Sequence, residues 1–180
     1  MEHRNKRKVS RMQWSNDTGK KVAFCGLILA LSLIAGYAES LLPVFVAIPG
    51  IKLGLANSVI LLLLYEVGIK EAFAVSITRV LLSGFMFGSM SSILYSLAGA
   101  LSSLTGMAIL KKSDCFSITG VSMAGGVMHN IGQLAVACVV LETTAVWYYL
   151  PVLMIVGCVT GLVIGILSGE IQKRIFNIYK

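Results

Sequence analysis

The chain has 180 residues, of which 57% are hydrophobic and 13% are charged, and its mean hydropathy is +0.86. A soluble domain carries about 25% charged residues, so this composition excludes an ordinary soluble protein and indicates helices surrounded by lipid. We assign the formal net charge of +7 to membrane topology and contact with anionic lipid headgroups; nucleic-acid binding is not expected, because the basic N-terminal tail is short.

Six apolar runs approach the roughly 20 residues that a helix needs to cross the hydrocarbon core of a membrane. In chain order they are 22–40, 51–66 with an apolar piece from 41, 71–88, 89–110, 117–141 and 149–170. We number these predicted spans one to six. The sequence therefore predicts an all-α integral membrane protein with one six-helix transmembrane domain over residues 22–172, between basic tails at 1–21 and 173–180.

Lysine and arginine occur at alternate connections between these spans. Both tails, the turn at Lys70 and the pair Lys111-Lys112 are basic, whereas the other loops are not. Because positively charged loops are retained in the cytoplasm, both termini are predicted to be cytoplasmic, in a multi-pass protein of the cytoplasmic membrane. Lys52 and Arg79 are the two cations that do not fit this pattern.

An alternative interpretation of the N-terminal region is a signal peptide. The basic tail and the first apolar run would form it, with cleavage after Gly36-Tyr37-Ala38. The length of the tail and the five further spans favour a first transmembrane helix instead.

Arg79 lies well inside predicted span three. It follows Glu71 by about eight residues, or about 12 Å of helix, which places it near the middle of the membrane. Charged side chains at that depth usually face a cavity or a partner. Two interpretations stay open: Arg79 binds a ligand, or it has a structural role, hydrogen-bonded to carbonyl groups or paired with Glu39 or Glu66.

Predicted spans four and five also carry polar side chains. In the segment MHNIGQL, His129 lies four residues and Asn130 three residues before Gln133, so the three share one helical face. They either bind a ligand or pack as hydrogen-bonded structural groups. We add Tyr95, about 9 Å below the outer surface in span four, as a further candidate.

The stretch FVAIPGIKLGLANSVILLLLYE is apolar but interrupted by Pro49-Gly50. Proline cannot continue a helix, so a new helix is predicted from near Ile51. Its free N–H groups and the charge of Lys52 favour an anion arriving from outside, with Asn57 as a further polar contact. Broken helices of this type bind substrates in transporters. Alternatively, Lys52 extends to the lipid headgroups and Pro-Gly is only a loop.

Small residues recur at helical spacing in two spans. They are Gly26 and Ala30 in span one, and Gly157, Gly161, Gly165 and Gly169 in span six. Such stripes allow helices to approach closely. The neighbour is either another helix of this chain or a separate subunit.

Catalytic machinery is not recognisable in the sequence. Asp17 and Asp114 are the only aspartates, so no aspartate pair exists to hold magnesium on a diphosphate, and no G-x-x-x-x-G-K-[ST] loop is present. The four cysteines show no ligand spacing and are expected to pack as small apolar residues in helices. We predict no catalytic residue, no metal site and no cofactor.

Four segments occur in a recognisable order: PGIKLGLAN at 49–57, RVLL at 79–82, LYSLAG at 94–99 and GVSMAGGVMHNIGQL at 120–134. With these the chain resembles the Gx transporter family, whose members are also labelled heptaprenyl diphosphate synthase component I, over about residues 22–170. It is more remotely similar to the S components of energy-coupling factor transporters. The resemblance implies six helices that capture a small molecule from outside and dock on a transmembrane coupling subunit driven by ATPases. The docking face would include Gly26 and Ala30.

The sequence thus leads to one main hypothesis: a substrate-capture subunit that binds a small anionic molecule from the outer side. The residues expected to line its pocket are Lys52, Asn57, Arg79, Tyr95, His129, Asn130 and Gln133. The synthase label implies an alternative, an accessory membrane subunit beside a soluble prenyl diphosphate synthase. A secondary transporter acting alone ranks third, because no Asp or Glu lies at mid-depth in the spans.

Overall fold

A computed structural model of the chain describes residues 18–41 and 55–178. The described residues form six α-helices and one 3-10 helix: α1 Thr18–Ser40, α2 Leu55–Glu66, α3 Ile69–Phe87, α4 Met90–Lys112, α5 Ile118–Val140, the 3-10 helix Thr144–Tyr149 and α6 Leu150–Ile178. The prediction of an all-helical protein is confirmed for this part of the chain. Lys52 and the Pro49-Gly50 break lie outside the described residues.

Local sequence explains where α4 and α5 begin. Ser89 caps α4, since its Oγ accepts a hydrogen bond from the Ser92 N–H at 3.2 Å. Ser117 caps α5 in the same way, with its Oγ 3.2 Å from the Gly120 nitrogen. Serine at this position satisfies one of the backbone donors that a helix leaves without an internal partner.

Within residues 18–41 and 55–178, four helices are long and apolar enough to cross a membrane: Thr18–Ala38, Met90–Lys112, Ile118–Val140 and Thr144–Arg174. On this ground the chain is a helical membrane protein. The described part of α2 has 12 residues, or about 18 Å of helix, which by itself is shorter than the hydrocarbon core. α3 has 19 residues but includes Lys70, Glu71 and Arg79. Six spans with both termini in the cytoplasm therefore stay a prediction.

α2 lies at the centre of the bundle. Ile60, Leu61, Leu63 and Leu64 are buried in one core cluster. The other five helices all contribute to this cluster, through Ile28, Ala72, Val75, Leu104, Met107, Val121 and Ile164. A helix that is apolar on all sides is a buried helix, so the continuous LLLL run of α2 fits this central position.

The glycine stripe of α6 packs against α5 of the same chain. A Cβ added to Gly161 would lie 2.6 Å from Met123 Cα, and one added to Gly165 would lie 2.6 Å from Thr119 Cα. Gly169 has a looser contact, 3.4 Å from Ile118 Cγ2. The stripe thus allows close packing of backbones within this chain.

The stripe predicted on α1 differs from that of α6. Gly26 and Ala30 are both exposed, and a Cβ added to Gly26 would meet nothing within 4 Å. This face of α1 is not covered by the described residues.

The helices alternate in direction, so their termini form two ends. The cavity end contains the last residues of α1, α3 and α5 and the first of α2, α4 and α6; the basic end contains the opposite termini. The basic end contains Lys21, Lys70, Lys111, Lys112 and Lys173.

The prediction that the cysteines pack inside helices is wrong for Cys115. Cys115 is exposed in the turn between α4 and α5, because that turn is not covered by any helix.

Candidate functional site

A cavity of about 210 Å³ lies at the cavity end of the bundle. All six α-helices contribute to its wall. Its polar lining includes Ser32, Asn57, Arg79, Ser83, Ser92, Ser96, His129, Asn130, Gln133 and Thr160. Polar side chains from separate segments of an apolar sequence therefore surround one space.

Five of the seven predicted pocket residues line this cavity: Asn57, Arg79, His129, Asn130 and Gln133. Lys52, the sixth, lies outside the described residues. Three different helices supply the five side chains, so only the fold brings them together.

Tyr95, the seventh predicted residue, is half-buried in α4 and is not part of the cavity wall. Ser92 and Ser96 of the same helix line the cavity instead. These two serines are four residues apart and so occupy one helical face, whereas Tyr95 projects beside that face.

Arg79 brings a positive charge to the cavity wall. Its Nη2 donates a hydrogen bond to Oδ1 of Asn57 at 3.3 Å, which connects α3 to the first turn of α2. Glu66 is not its partner, because Glu66 lies at the other end of α2 and accepts a hydrogen bond from Gln172 Nε2 at 2.9 Å. The structure thus places Arg79 beside a neutral amide.

Gly99 makes room for two of the predicted side chains. A Cβ added to Gly99 would lie 2.7 Å from His129 Cε1 and 2.9 Å from Gln133 Cγ. A glycine at this point of α4 therefore permits the α5 side chains to occupy the cavity wall. Gly99 belongs to the segment LYSLAG but was not predicted as a site residue; the signal that could have identified it is a glycine inside an otherwise regular membrane helix.

Asn130 connects α5 to α6. It is 9% exposed, and its Nδ2 donates a hydrogen bond to the Leu153 carbonyl at 2.6 Å. A Cβ added to Gly157 would lie 2.9 Å from this nitrogen. Asn130 therefore forms a structural hydrogen bond and also lies on the cavity wall. The structural interpretation applies to this residue, and ligand binding stays a prediction.

Three hydroxyl groups in the wall were not predicted as site residues. Ser32 Oγ donates to the Leu29 carbonyl at 2.8 Å, Ser83 Oγ to the Val80 carbonyl at 3.2 Å, and Thr160 Oγ1 to the Val156 carbonyl at 2.9 Å. Each hydroxyl proton is directed to the same helix, as is usual for serine and threonine in membrane helices. The oxygen lone pairs keep their capacity to accept hydrogen bonds.

An aromatic pair lies at one side of the cavity. The ring centroids of Tyr37 and Phe87 are 5.1 Å apart with an angle of 38° between the rings. Both side chains line the cavity, and they connect the last turns of α1 and α3. The pair supplies apolar surface next to the polar wall.

The basic end has a different set of contacts. Lys21 forms an ion pair with Glu71, and Lys111 donates to the Leu64 carbonyl. The Lys111 Nζ also lies 4.8 Å from the centroid of the Tyr65 ring. Charged side chains at this end therefore connect α1 to α3 and α4 to α2.

The described part of the cavity wall combines one guanidinium, one imidazole, amides and hydroxyl oxygens. This set suits recognition of an anionic group together with hydrogen-bonding groups near it. In the described part of the chain, no three His, Cys, Asp or Glu side chains come together as metal ligands.

Apolar helices long enough to cross a membrane, and a polar cavity between them, define the class: a helical membrane protein with an internal polar cavity. Within this class, the chain belongs to the heptaprenyl diphosphate synthase component I family, whose model matches residues 28–171. The match includes all four segments that carry the resemblance, and the family expected from the sequence is confirmed. Comparisons with curated proteins and with solved structures found no match.

Proposed function

We propose that this protein is a membrane subunit that captures a small anionic molecule from the outer side of the cytoplasmic membrane. The observation that carries the proposal is the position of Arg79 on the wall of a polar cavity, beside Asn57. Charged side chains inside membrane proteins commonly mark the site or the pathway of a substrate or an ion. An anion in the cavity would complement this charge in surroundings where electrostatic interactions are strong.

The direction of capture follows from the distribution of lysines. The basic end is assigned to the cytoplasm because positively charged connections are retained there. The cavity end then faces outward, in a topology of six spans with both termini inside. Lys52 stays proposed as a second cation for the anion, and Tyr95 would contribute indirectly, through the packing of α4.

A transmembrane coupling subunit driven by ATPases is the partner proposed for transport. The exposed Gly26 and Ala30 on α1 support a close helix contact there, because small side chains allow another helix to approach. The stripe on α6 is not available for this role, because α5 already covers it.

The second candidate function is an accessory membrane subunit of a heptaprenyl diphosphate synthase. Membership in the family of that name favours it, since a component I implies another synthase component. In this case the partner would be a soluble prenyl diphosphate synthase, and the contact would lie at the basic end, which includes Lys111 and Lys112. The cavity would then have a structural role.

The test compares Arg79→Gln with a matched control, Arg174→Gln. Arg174 is exposed on the last turns of α6, at the basic end. Each protein is extracted gently from its own membrane, and native mass spectrometry records retained small molecules and copurifying subunits. We expect wild type and Arg174→Gln to retain a small anion that Arg79→Gln has lost, with all three equally inserted.

The same measurement separates the two functions. Copurified ATPases and a coupling subunit support capture. A bound soluble synthase, lost in Arg174→Gln or a Lys111-Lys112 double variant but not in Arg79→Gln, supports the accessory role. An anion retained equally by Arg79→Gln contradicts the capture proposal at this site.

A further inference from the structure

The connection between α5 and α6 begins with polar residues and ends with aromatic ones. Glu142, Thr143 and Thr144 follow α5 and are exposed. Thr143 Oγ1 accepts a hydrogen bond from the Ala145 N–H at 3.3 Å, and the 3-10 helix Thr144–Tyr149 begins there. The connection is thus a short helical segment whose side chains change from polar to aromatic within a few residues.

Three aromatic side chains of the 3-10 helix are exposed: Trp147 by 41%, Tyr148 by 87% and Tyr149 by 61%. Each combines an apolar ring with a polar group at its edge, the indole N–H or the phenol O–H. Side chains of this type are enriched at the level of the lipid headgroups, where the ring contacts hydrocarbon and the polar group contacts water. The composition of this surface therefore fits the boundary between membrane and water.

The surface next to the 3-10 helix is apolar on both sides. Val139 and Val140 are exposed at the end of α5, and Val152 and Ile155 are exposed in the first turns of α6. These residues belong to two helices that are long and apolar enough to cross a membrane. The aromatic surface therefore continues the lipid-facing surface of α5 and α6, which favours lipid as its neighbour.

The apolar length of α6 gives the same position for the boundary. Residues 150–169 contain no charged side chain, and about 20 helical residues extend about 30 Å, the thickness of a typical hydrocarbon core. Glu170, which is ion-paired with Lys173, directly follows this stretch, and Tyr149 directly precedes it. Because the charged pair marks one boundary of the membrane, the aromatic side chains lie at the other.

We propose that the 3-10 helix Thr144–Tyr149 is an interfacial anchor, which lies in the headgroup region at the cavity end with Trp147, Tyr148 and Tyr149 in contact with phospholipid. The anchor has this position for either direction of the bundle in the membrane and for any ligand. Thr160, which lines the cavity, lies about 16 Å of helix beyond Tyr149. The anchor therefore places the polar cavity within the hydrocarbon region, near its middle.

The experiment measures the depth of Trp147 by fluorescence quenching. The chain has two tryptophans, so Trp14→Phe leaves Trp147 as the only one. The full chain with this change is reconstituted in phosphatidylcholine vesicles whose acyl chains carry bromine either near the headgroup or near the middle of the bilayer. Iodide on both sides of the membrane serves as the water-soluble quencher.

A matched control moves the tryptophan into the apolar part of α6. It combines Trp14→Phe and Trp147→Phe with Val159→Trp, because Val159 is exposed and lies about 15 Å of helix beyond Tyr149. A second measurement subtracts the emission of Trp147→Phe from that of wild type. It gives the same comparison with Trp14 in place and does not require the Trp14→Phe protein to fold.

We expect Trp147 to be quenched more strongly by bromine near the headgroup than by bromine near the middle of the bilayer. The ratio of the two quenching constants should exceed one for Trp147 and fall below one for Val159→Trp. This result would place the 3-10 helix at the level of the headgroups, in contact with phospholipid.

Three results would overturn the inference. Quenching of Trp147 by iodide, with no effect of either lipid, would show that the 3-10 helix extends into water. Strongest quenching by bromine near the middle of the bilayer would show that it belongs to the part that crosses the hydrocarbon core. No quenching by lipid or iodide would show that protein, here a second copy of this chain, covers the aromatic side chains.

Discussion

The two ends of the helix bundle are built from different contacts. At the cavity end, a hydrogen bond of 3.3 Å links Arg79 to Asn57 of α2, and amide and hydroxyl side chains line the cavity. At the basic end, the Lys21–Glu71 ion pair and the Lys111 contacts connect neighbouring helices directly. The central helix α2 reaches both ends. The comparison shows that charged contacts join helices at the basic end, whereas a neutral hydrogen bond and close backbone packing join α5 to α6 at the cavity end, where we propose that the ligand binds.

The backbone packing around the cavity supports this division. Between α5 and α6, stability at the cavity end comes from close approach of backbones at Gly126 and Gly157 rather than from charged pairs. A Cβ added to Gly126 would lie only 2.3 Å from the Gly157 carbonyl oxygen. Asn130 adds a side-chain link between the two helices through its hydrogen bond to the Leu153 carbonyl.

The largest effect is expected from Gly126→Ala. The added methyl group would overlap the Gly157 carbonyl, so α5 and α6 must separate, with a loss of about 3 kcal/mol in the free energy of unfolding. The measurement is reversible unfolding in mixed detergent micelles. Gly26→Ala is the matched control, because nothing lies within 4 Å of its added Cβ, and it should change stability by less than about 0.5 kcal/mol.

Equal destabilisation by the two alanines would show that the close approach of α5 and α6 does not determine stability at the cavity end. An unchanged free energy of unfolding in Gly126→Ala would have the same meaning.

Much of the fold follows from the sequence because apolar length and charge position are local properties. The six runs correspond to the six helices, and serine caps mark the starts of α4 and α5. The central position of α2 does not follow, because an apolar helix has the same pattern whether lipid or protein surrounds it. Only tertiary contacts reveal that α2 is buried.

The residues of the candidate site also divide into those that the sequence predicts and those that it does not. Arg79, His129 and Gln133 could be predicted because polar groups within apolar runs are unfavourable in lipid and so face a cavity or a partner. Tyr95 was assigned by depth in the membrane alone, and depth does not specify which helical face points to the cavity. Gly99 and the hydroxyls were missed because their contribution depends on which side chain lies opposite, and that is a property of packing.

The second prediction concerns the basic end. Lys111→Met keeps the length of the side chain but removes the charged donor to the Leu64 carbonyl. We expect a loss of about 2 kcal/mol in the free energy of unfolding, since hydrogen bonds with a charged partner contribute about that much. Ligand affinity at the cavity should stay the same. Lys112→Met is the control, because Lys112 is exposed on the same helix, and a change in affinity in Lys111→Met would show that the two ends are coupled.

Gly99 lies against His129 and Gln133 of the cavity wall, and a change there is expected to weaken ligand binding. Gly99→Ala places a methyl group 2.7 Å from the His129 ring, so the imidazole and Gln133 must move. We expect a tenfold loss of ligand affinity, equivalent to about 1.4 kcal/mol, measured by native mass spectrometry as a lower retention of the small anion. Gly26→Ala should bind as wild type does. An unchanged affinity in Gly99→Ala would mean that His129 and Gln133 do not contact the ligand.

The smallest effect is expected from Lys173→Gln. Lys173 and Glu170 form an ion pair of 2.6 Å, but their side chains are 73% and 59% exposed, and exposed pairs contribute at most about 1 kcal/mol because water and salt screen them. The free energy of unfolding should fall by less than about 0.5 kcal/mol, and less still at high salt. A larger loss than in Lys111→Met would contradict the view that the basic end is held together by its inner contacts to α2 rather than by its surface charges.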